Sequence, residues 1–464
     1  MKTLVMKFGG TSVGSVAAIR QAIEIVRQAR ATWPRVAVIV SAMSGVTDKL
    51  LAGAHTAAQG DVASPARLAD ELSEKHLAAL RELAPGNAAV EKIIADYVSE
   101  FSALCHAISV LGEASPRALD AIASLGERMS APLVAAALAH AGLPAQAVDA
   151  AECVLTDAVY QSASPDMDAT ARRTQKTLTP IFEAGHVPVI TGFVGATAQG
   201  VVTTLGRGGS DFSAAIFGVA LEADEVWIWT DVNGVMSADP RAVPEAMTLP
   251  DLTFREISEL AFYGAKVLHP KTIRPVVERG MALWVKNTFN AQHPGTRIVP
   301  DNGVAHGAIK AVTAFKGQGI LTLEGRGMIG IPGIAARTFA AVARTHTSVS
   351  MISQASSEQS ICFVVPHQST VTVMHALEEE FRLELARRDI DSVSASGECA
   401  VVTVVGAGMR HTPGIAGKIF SALGHAGVNV VVIAQGSSEC SISLVVEAAQ
   451  ADEAVRAIHR LIVN

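Results

Sequence analysis

In Lys7-Phe8-Gly9-Gly10-Thr11-Ser12, a lysine and two glycines stand where the apolar run Leu4 to Phe8 gives way to a turn. Glycines there let backbone N–H groups approach an anion, and a helix N-terminus beyond them adds favourable partial charge. A lysine at a strand end can offset charge that builds on a transferring phosphoryl group. The G-K-[ST] ending of a Walker A loop is absent, and a Gly-Gly turn alone is more often a plain connection. A second loop, Thr204-Leu205-Gly206-Arg207-Gly208-Gly209-Ser210-Asp211, is more specific. Arg207 can hold a carboxylate through two parallel hydrogen bonds. Ser210 or Asp211 is placed to cap a helix expected from about Phe212 to Leu221. Capping plus a surface ion pair is the bland alternative, but glycine-rich turns with embedded charges seldom serve stability.

Other candidates are individually weak. Ser41, Ser44 and Thr47 follow a second apolar run, Val36 to Val40, where hydroxyls serve equally well as helix caps. Glu127 alone would ordinarily be an exposed helix residue. Trp229-Thr230-Asp231-Val232-Asn233-Gly234, running on to Asp239-Pro240-Arg241, puts polar residues just after an apolar strand. That is the carboxyl end of a sheet, where open α/β folds place ligands; the acidic spacing is wrong for a calcium loop. In Phe262 to Pro270, Lys266 beside Gly264 is the phosphate candidate, and His269 before a proline reads as a structural hydrogen bond. No metal-ligand set is read.

These motifs need elements to hold them. Strand–turn–helix alternation (Leu4–Phe8, Val16–Ala31, Val36–Val40) predicts a parallel sheet covered by helices. Residues 48–140 predict mainly helix, broken at Pro65, Pro85-Gly86 and Pro116; Leu143–Val148, His186–Thr191, Glu225–Trp229 and Ala282–Lys286 predict further strands. Asn290 to Gly307, rich in Pro, Gly, Asn and His, predicts a linker. Beyond it, residues 320–365 match 401–446 at a constant offset of 81 with 20 identities in 46 gapless positions, which marks a duplication. Each copy predicts a strand, a Pro-Gly turn, a helix and a hairpin. Gly406-Ala407-Gly408 hints at a dinucleotide fingerprint, but His411 replaces its third glycine and Gly325-Arg326-Gly327 repeats the turn.

At 464 residues, with 49% apolar and 17% charged, the chain predicts two or three well-packed domains. A net charge of −7 gives no footprint for nucleic acid, and no dense basic run suggests an anionic membrane. Five scattered cysteines predict reduced thiols rather than disulfides or zinc ligands. Lys7 interrupts the N-terminal apolar stretch too early for a signal peptide, and no uninterrupted apolar run approaches a membrane span. The cytoplasm is the expected compartment.

In this order, K-F-G-G-T-S, G-R-G-G-S-D, W-T-D-V-x-G, D-P-R and G-A-K-V-L-H-P resemble the aspartate kinases (aspartokinases), essentially along the whole chain. The resemblance implies the amino-acid-kinase fold, an α/β/α sandwich with a mainly parallel sheet, followed by two α+β ACT (ferredoxin-like) repeats. It implies a catalytic domain at 1–290, a linker at 291–307 and a regulatory region at 308–464, with repeats at about 308–398 and 399–464 or interleaved. It implies phosphoryl transfer from ATP, with Mg²⁺, to the side-chain carboxylate of L-aspartate, giving 4-phospho-L-aspartate on the route to lysine, threonine, methionine and isoleucine. Lys7, Arg207 and Asp211 would be catalytic; Lys7, Gly9 and Gly10 would face the transferred phosphate. Ser41, Thr47, Glu127, Arg207 and Ser210 would bind aspartate, and Thr230, Asp231, Met236, Arg241, Lys266 and Val267 would surround the nucleotide. Similar enzymes commonly carry tyrosine at position 236; Met236 keeps an apolar contact and loses any hydroxyl bond. Gln354 and Gln435, at equivalent points of the repeats, resemble effector glutamines of threonine-sensitive enzymes more than the T-T-S-E pattern of lysine-sensitive ones. Threonine is therefore the expected effector and lysine the alternative. With no dehydrogenase after Asn464, a single activity is expected, in a homodimer or homotetramer. Glutamate 5-kinase and N-acetylglutamate kinase share such glycine loops but not the duplicated tail; a dead amino-acid sensor would not need Lys7, Arg207 and Asp211.

Overall fold

The structure, a computed structural model, describes all residues except 265–267, 269, 301–308, 356, 410–411, 437–439 and 464, with backbone alone at 270, 271 and 463. In chain order it runs β1 (Thr3–Phe8), α1 (Val16–Thr32), β2 (Arg35–Val40), α2 (Val46–Ala58), α3 (Ala63–Leu83), α4 (Ala88–Leu111) and α5 (Pro116–His140). Next come β3 (Ala145–Val148), α6 (Met167–Glu183), β4 (Val187–Thr191), β5 (Val194–Ala196), β6 (Val202–Thr204), α7 (Gly209–Ala220) and β7 (Glu225–Thr230). Then follow β8 (Asp251–Thr253), α8 (Phe254–Phe262), α9 (Pro270–Glu278), β9 (Ala282–Asn287) and β10 (Thr296–Val299). The remainder is β11 (Ala311–Glu324), α10 (Ile334–Arg344), β12 (Met351–Gln354), β13 (Ser360–Pro366), α11 (Thr370–Glu380), α12 (Arg382–Arg387), β14 (Ser392–Val405), α13 (Ile415–His425), β15 (Val432–Gln435), β16 (Ser441–Glu447) and α14 (Ala451–Val463). Packing divides the chain into two compact units: residues 1–235, 250–254 and 267–302, and residues 236–249, 255–266 and 303–464. The segments 236–249 and 255–266, which precede the boundary drawn from the sequence, thus pack with the C-terminal half.

In the first unit the described strands form a sheet in the order β3-β4-β2-β1-β7-β9-β10-β8. The pairs β3–β4, β4–β2, β2–β1, β1–β7 and β7–β9 are all parallel. Every residue of β1 is buried, as a central parallel strand requires. Leu4, Met6 and Phe8 face the core shared with α1–α5. Strand alternation turns Val5 and Lys7 to the opposite face, where α7 packs on β1, β2 and β7. The predicted helical stretch resolves into α2–α5, with Pro116 in the first turn of α5, where its missing N–H costs nothing.

The expected linker at 291–307 needs correction. Its residues Thr296–Val299 are β10, antiparallel to β9, and Gly295 makes the turn with φ +85°, where a Cβ would stand 2.3 Å from the Val285 carbonyl oxygen. Gly and Pro there belong to the loop of a β-hairpin, and residues 301–307 of the expected linker lie outside the described residues. Helix α4, at 24 residues, is long and apolar enough by length and composition to cross a membrane. In this fold it carries Glu91, Lys92, Asp96 and Glu100 and packs on α2, α3 and α5, burying Ile94, Phe101, Cys105 and Ile108.

In the second unit six described strands form one antiparallel sheet, β12-β13-β11-β14-β16-β15. Strands β11 and β14 pair along their length with register shifts near Phe315–Gln318 and Gly319–Leu321. These shifts divide each long strand between two cores. Leu321 and Leu323 join α10, β13 and α11 in one core, whereas Val312, Val402 and Val404 join α13, β16 and α14 in the other. Each repeat therefore borrows a strand from the other half of the duplication. The two Gly-x-Gly turns are single 3-10 turns at Arg326–Met328 and Ala407–Met409, which disposes of the dinucleotide fingerprint.

Candidate active site

Three β–α connections, after β1, β2 and β6, and the loop that leaves β7 carry the candidate residues of the first unit. The turn after β1 is sewn to the end of β7: the Gly9 N–H donates to the Trp229 carbonyl at 3.0 Å, and the Ser12 hydroxyl lies 3.3 Å from the same oxygen. A Cβ on Gly9 would lie 3.5 Å from Lys7 Nζ, and one on Gly10 would stand 3.1 Å from the Ala42 carbonyl oxygen. The two glycines thus let the turn lie close to the lysine and to the next loop.

Lys7 is 8% exposed, and its ammonium meets Asp211 Oδ1 at 2.5 Å. The sequence offers Ser210 or Asp211 as the helix cap, and here the structure differs. Helix α7 begins at Gly209, and its N-cap is Gly208, left-handed at φ +72° and without a side-chain cap. Ser210 and Asp211 therefore lie in the first turn, and Asp211 is released to pair with Lys7. Arg207, just before the cap, is exposed and pairs with no acid among the described residues. The uncapped N–H groups of α7 and the free guanidinium suit an anion.

Helix α2 starts in the same way, from left-handed Gly45 with no side-chain cap. Ser41, Ser44 and Thr47 are thus not spent on capping it, and Thr47 falls in its first turn. Gly126 draws α5 against this loop: a Cβ there would stand 2.7 Å from the Ala42 Cβ. The adjacent Glu127 is 3% exposed, not a surface residue as its sequence suggests. Burial pushes its carboxyl up to about 8, against the opposing pull of the Ala42 N–H and of Lys7, and its Oε2 has no hydrogen-bond partner. A buried, half-satisfied carboxyl is an energetic liability unless a ligand completes it.

Asp120 has no signal in the sequence beyond standing seven residues, two helical turns, before Glu127. It is 1% exposed and accepts from the Thr204 N–H at 2.9 Å, the Thr204 hydroxyl at 2.7 Å and the Gln161 N–H at 3.0 Å. Thr230 ends β7 and Asp231 follows it, with the Thr230 hydroxyl 3.2 Å from Asp231 Oδ1. Of the remaining nucleotide candidates, Met236 and Arg241 belong to the second unit, where Arg241 is held by Asp239 through Nη2 at 2.6 Å. Lys266, Val267 and His269 lie outside the described residues. No group of three or more His, Cys, Asp or Glu that could hold a metal is present among the described residues.

Gln354 ends β12 and, with Met328, Ile331, Pro332, Ile334 and Glu358, lines a cavity of about 260 Å³ in the first repeat. Its rim is tied by the Gly330 N–H donating to Glu358 at 2.9 Å. Gln435 ends β15, the opposite edge strand, and is exposed.

A mainly parallel sheet whose glycine-lined loops carry a lysine, a free arginine and buried carboxylates at the ends of its strands has the arrangement of the amino-acid-kinase fold. The Amino acid kinase family profile matches residues 2–287, and that of the ACT domain matches residues 321–381 and 402–461. A chloroplastic bifunctional aspartokinase/homoserine dehydrogenase of Zea mays is 37% identical over 98% of this chain and 50% of its own length. The aspartokinase of Schizosaccharomyces pombe is 32% identical over 98% of this chain and 92% of its own. Escherichia coli aspartokinase III with aspartate and ADP superposes at a TM-score of 0.82, with 28% identity and full coverage of both chains; its complex with lysine and aspartate does so at 0.79, with 29% identity. The chain belongs to the aspartokinase family. It spans about half the length of the bifunctional relatives it matches.

Proposed function

We propose that this chain transfers the γ-phosphoryl group of ATP to the side-chain carboxylate of L-aspartate, giving 4-phospho-L-aspartate and ADP. The observation that carries this reading is the Lys7–Asp211 pair beside a buried, unsatisfied Glu127. The nucleophile is a carboxylate with an ordinary pKa near 4, so it is ionised at neutral pH and needs no general base. What the site must supply is alignment and charge neutralisation. In this reading Arg207 clasps the α-carboxylate, Glu127 receives the ammonium group, and Ser41, Thr47 and Ser210 supply hydroxyls. Lys7, held in place by Asp211, lies against the transferring phosphoryl group over Gly9 and Gly10. Thr230 and Asp231 serve the nucleotide. The donor set fits a Mg²⁺ that arrives on the nucleotide rather than in a protein cage, with Asp211 as the carboxylate at hand. That ion neutralises charge on phosphate oxygens.

The cavity beside Gln354 is the proposed effector site, with threonine as the effector. Lysine is the second reading, because the related Escherichia coli enzyme has been captured with lysine and aspartate. A homodimer or homotetramer in the cytoplasm is proposed as its working state. ATP turnover assayed with aspartate, glutamate and N-acetylglutamate in parallel tests the activity. Preference for either of the last two, or indifference to all three, refutes it.

A further inference from the structure

We infer, on the reading proposed above, that Asp120 is a positioning residue for the aspartate side of the site. The carboxylate lies in α5, and the groups that hydrogen-bond to it are donors from two distant segments. Thr204, the last residue of β6, supplies both N–H and hydroxyl. Gln161, in the loop before α6, supplies an N–H shared between the two carboxylate oxygens. Thr204 opens the loop that carries Arg207 and leads into the first turn of α7, where Asp211 stands. Gln161 flanks that loop from the other side: it sits at φ +67°, and a Cβ on Gly206 would stand 2.8 Å from its carbonyl oxygen.

One buried anion thus holds the root of the arginine loop and the segment its glycine leans on. Two turns along the same helix, Glu127 points into the site. The spacing between the arginine and glutamate that grip the substrate is therefore set through a single helix. A carboxylate satisfies all three donors at once, whereas an asparagine keeps the two N–H bonds only by setting its NH2 beside the Thr204 hydroxyl and against the shared Gln161 N–H. In either orientation an asparagine NH2 would weaken the Gln161 N–H bond, which the two carboxylate oxygens share, and would take one acceptor from the Thr204 pair. Bonds to a charged acceptor are also the stronger kind.

Asp120→Asn, Thr204→Val and Thr204→Ser, each in the full chain, test this by hydrogen exchange with mass spectrometry and by steady-state kinetics. In Asp120→Asn, exchange across residues 203–211 should quicken by about tenfold or more, and the aspartate KM should rise about tenfold with the ATP KM within about twofold. Thr204→Val, which loses the hydroxyl and keeps the N–H, should move both readouts in the same sense but less. Thr204→Ser, which keeps both donors, should restore them. Unchanged exchange at 203–211, or an equal rise in both KM values, overturns the positioning role. Should Asp120→Asn fail to fold, the Thr204→Val and Thr204→Ser pair decides the same question. Should the wild-type chain not consume aspartate, the proposed activity falls while loop exchange still decides the tether.

Discussion

Glu127 offers the sharpest test, because its environment makes a quantitative statement about pH. With the carboxyl at about 8 in the empty site, roughly one-tenth is ionised at pH 7 and roughly three-quarters at pH 8.5. Only the ionised form pairs with the substrate ammonium. Apparent aspartate affinity scales with that fraction, so the aspartate KM should fall roughly eightfold from pH 7 to 8.5, worth about 1.2 kcal/mol. Glu127→Gln removes the titrating group. Its KM should be raised about tenfold to a hundredfold, as expected for losing a hydrogen bond to a charged group, and should lose the pH trend. The variant also controls for titration of the substrate's own amine. Stability should respond with the opposite sign. The folded state raises this carboxyl from 4.5 to about 8, so its contribution is complete below about pH 4.5. It is lost as pH rises through 8, by an amount on the order of 5 kcal/mol. Denaturation midpoints across pH 5 to 8 should therefore decline more steeply in the wild type than in Glu127→Gln. A flat KM in the wild type, or a pH trend that survives in Glu127→Gln, would refute the assignment of Glu127 to the ammonium group.

Lys7→Ala should lower kcat by about a hundredfold or more while leaving the aspartate KM within about threefold, because the charge it offsets develops only during transfer; near-normal turnover would remove Lys7 from the mechanism. Arg207→Ala should do the reverse, raising the aspartate KM by about tenfold to a hundredfold with a smaller change in the ATP KM. Threonine and lysine titrated separately against activity should show inhibition by threonine, blunted in Gln354→Ala. Indifference to both amino acids would end the regulatory reading, and inhibition by lysine alone would transfer it to the second effector.

The elements that hold the site are legible in the sequence because their signals are local. Buried parallel strands read as unbroken apolar runs, and β1, β2, β4, β7 and β9 fall within a residue or two of their expected bounds. The duplication is legible for the same reason, but its interleaving is not. Which half of β11 pairs into which core depends on contacts some eighty residues apart, and no periodicity records them. Capping misleads for a physical reason too. Ser and Asp near a helix start usually cap it, but left-handed Gly208 and Gly45 take that place and leave the polar side chains for the site. Asp120 and the burial of Glu127 are hidden because both depend on how closely α5 approaches its neighbours, which Gly126 decides through the absence of a Cβ.

On the proposed function, the charges of the site let an acidic protein attract two anions. The chain carries −7 overall, yet Asp211 and Glu127, the carboxylates nearest Lys7, are muted when the site is empty. Asp211 is neutralised by Lys7, and Glu127, with its carboxyl near 8, is mostly protonated at neutral pH. Arg207, which pairs with no acid among the described residues, then stands as a free cation beside them, so the local field favours an incoming carboxylate even where the wider surface does not. Arrival of the amino acid brings both an anion for Arg207 and an ammonium that draws the proton off Glu127, so each charge appears only as its partner does. A fixed carboxylate in place of the titrating one would repel the substrate's two acidic groups before it could hold its amine. On this account the burial that makes Glu127 an unfavourable residue for folding is the same feature that lets an anionic substrate enter.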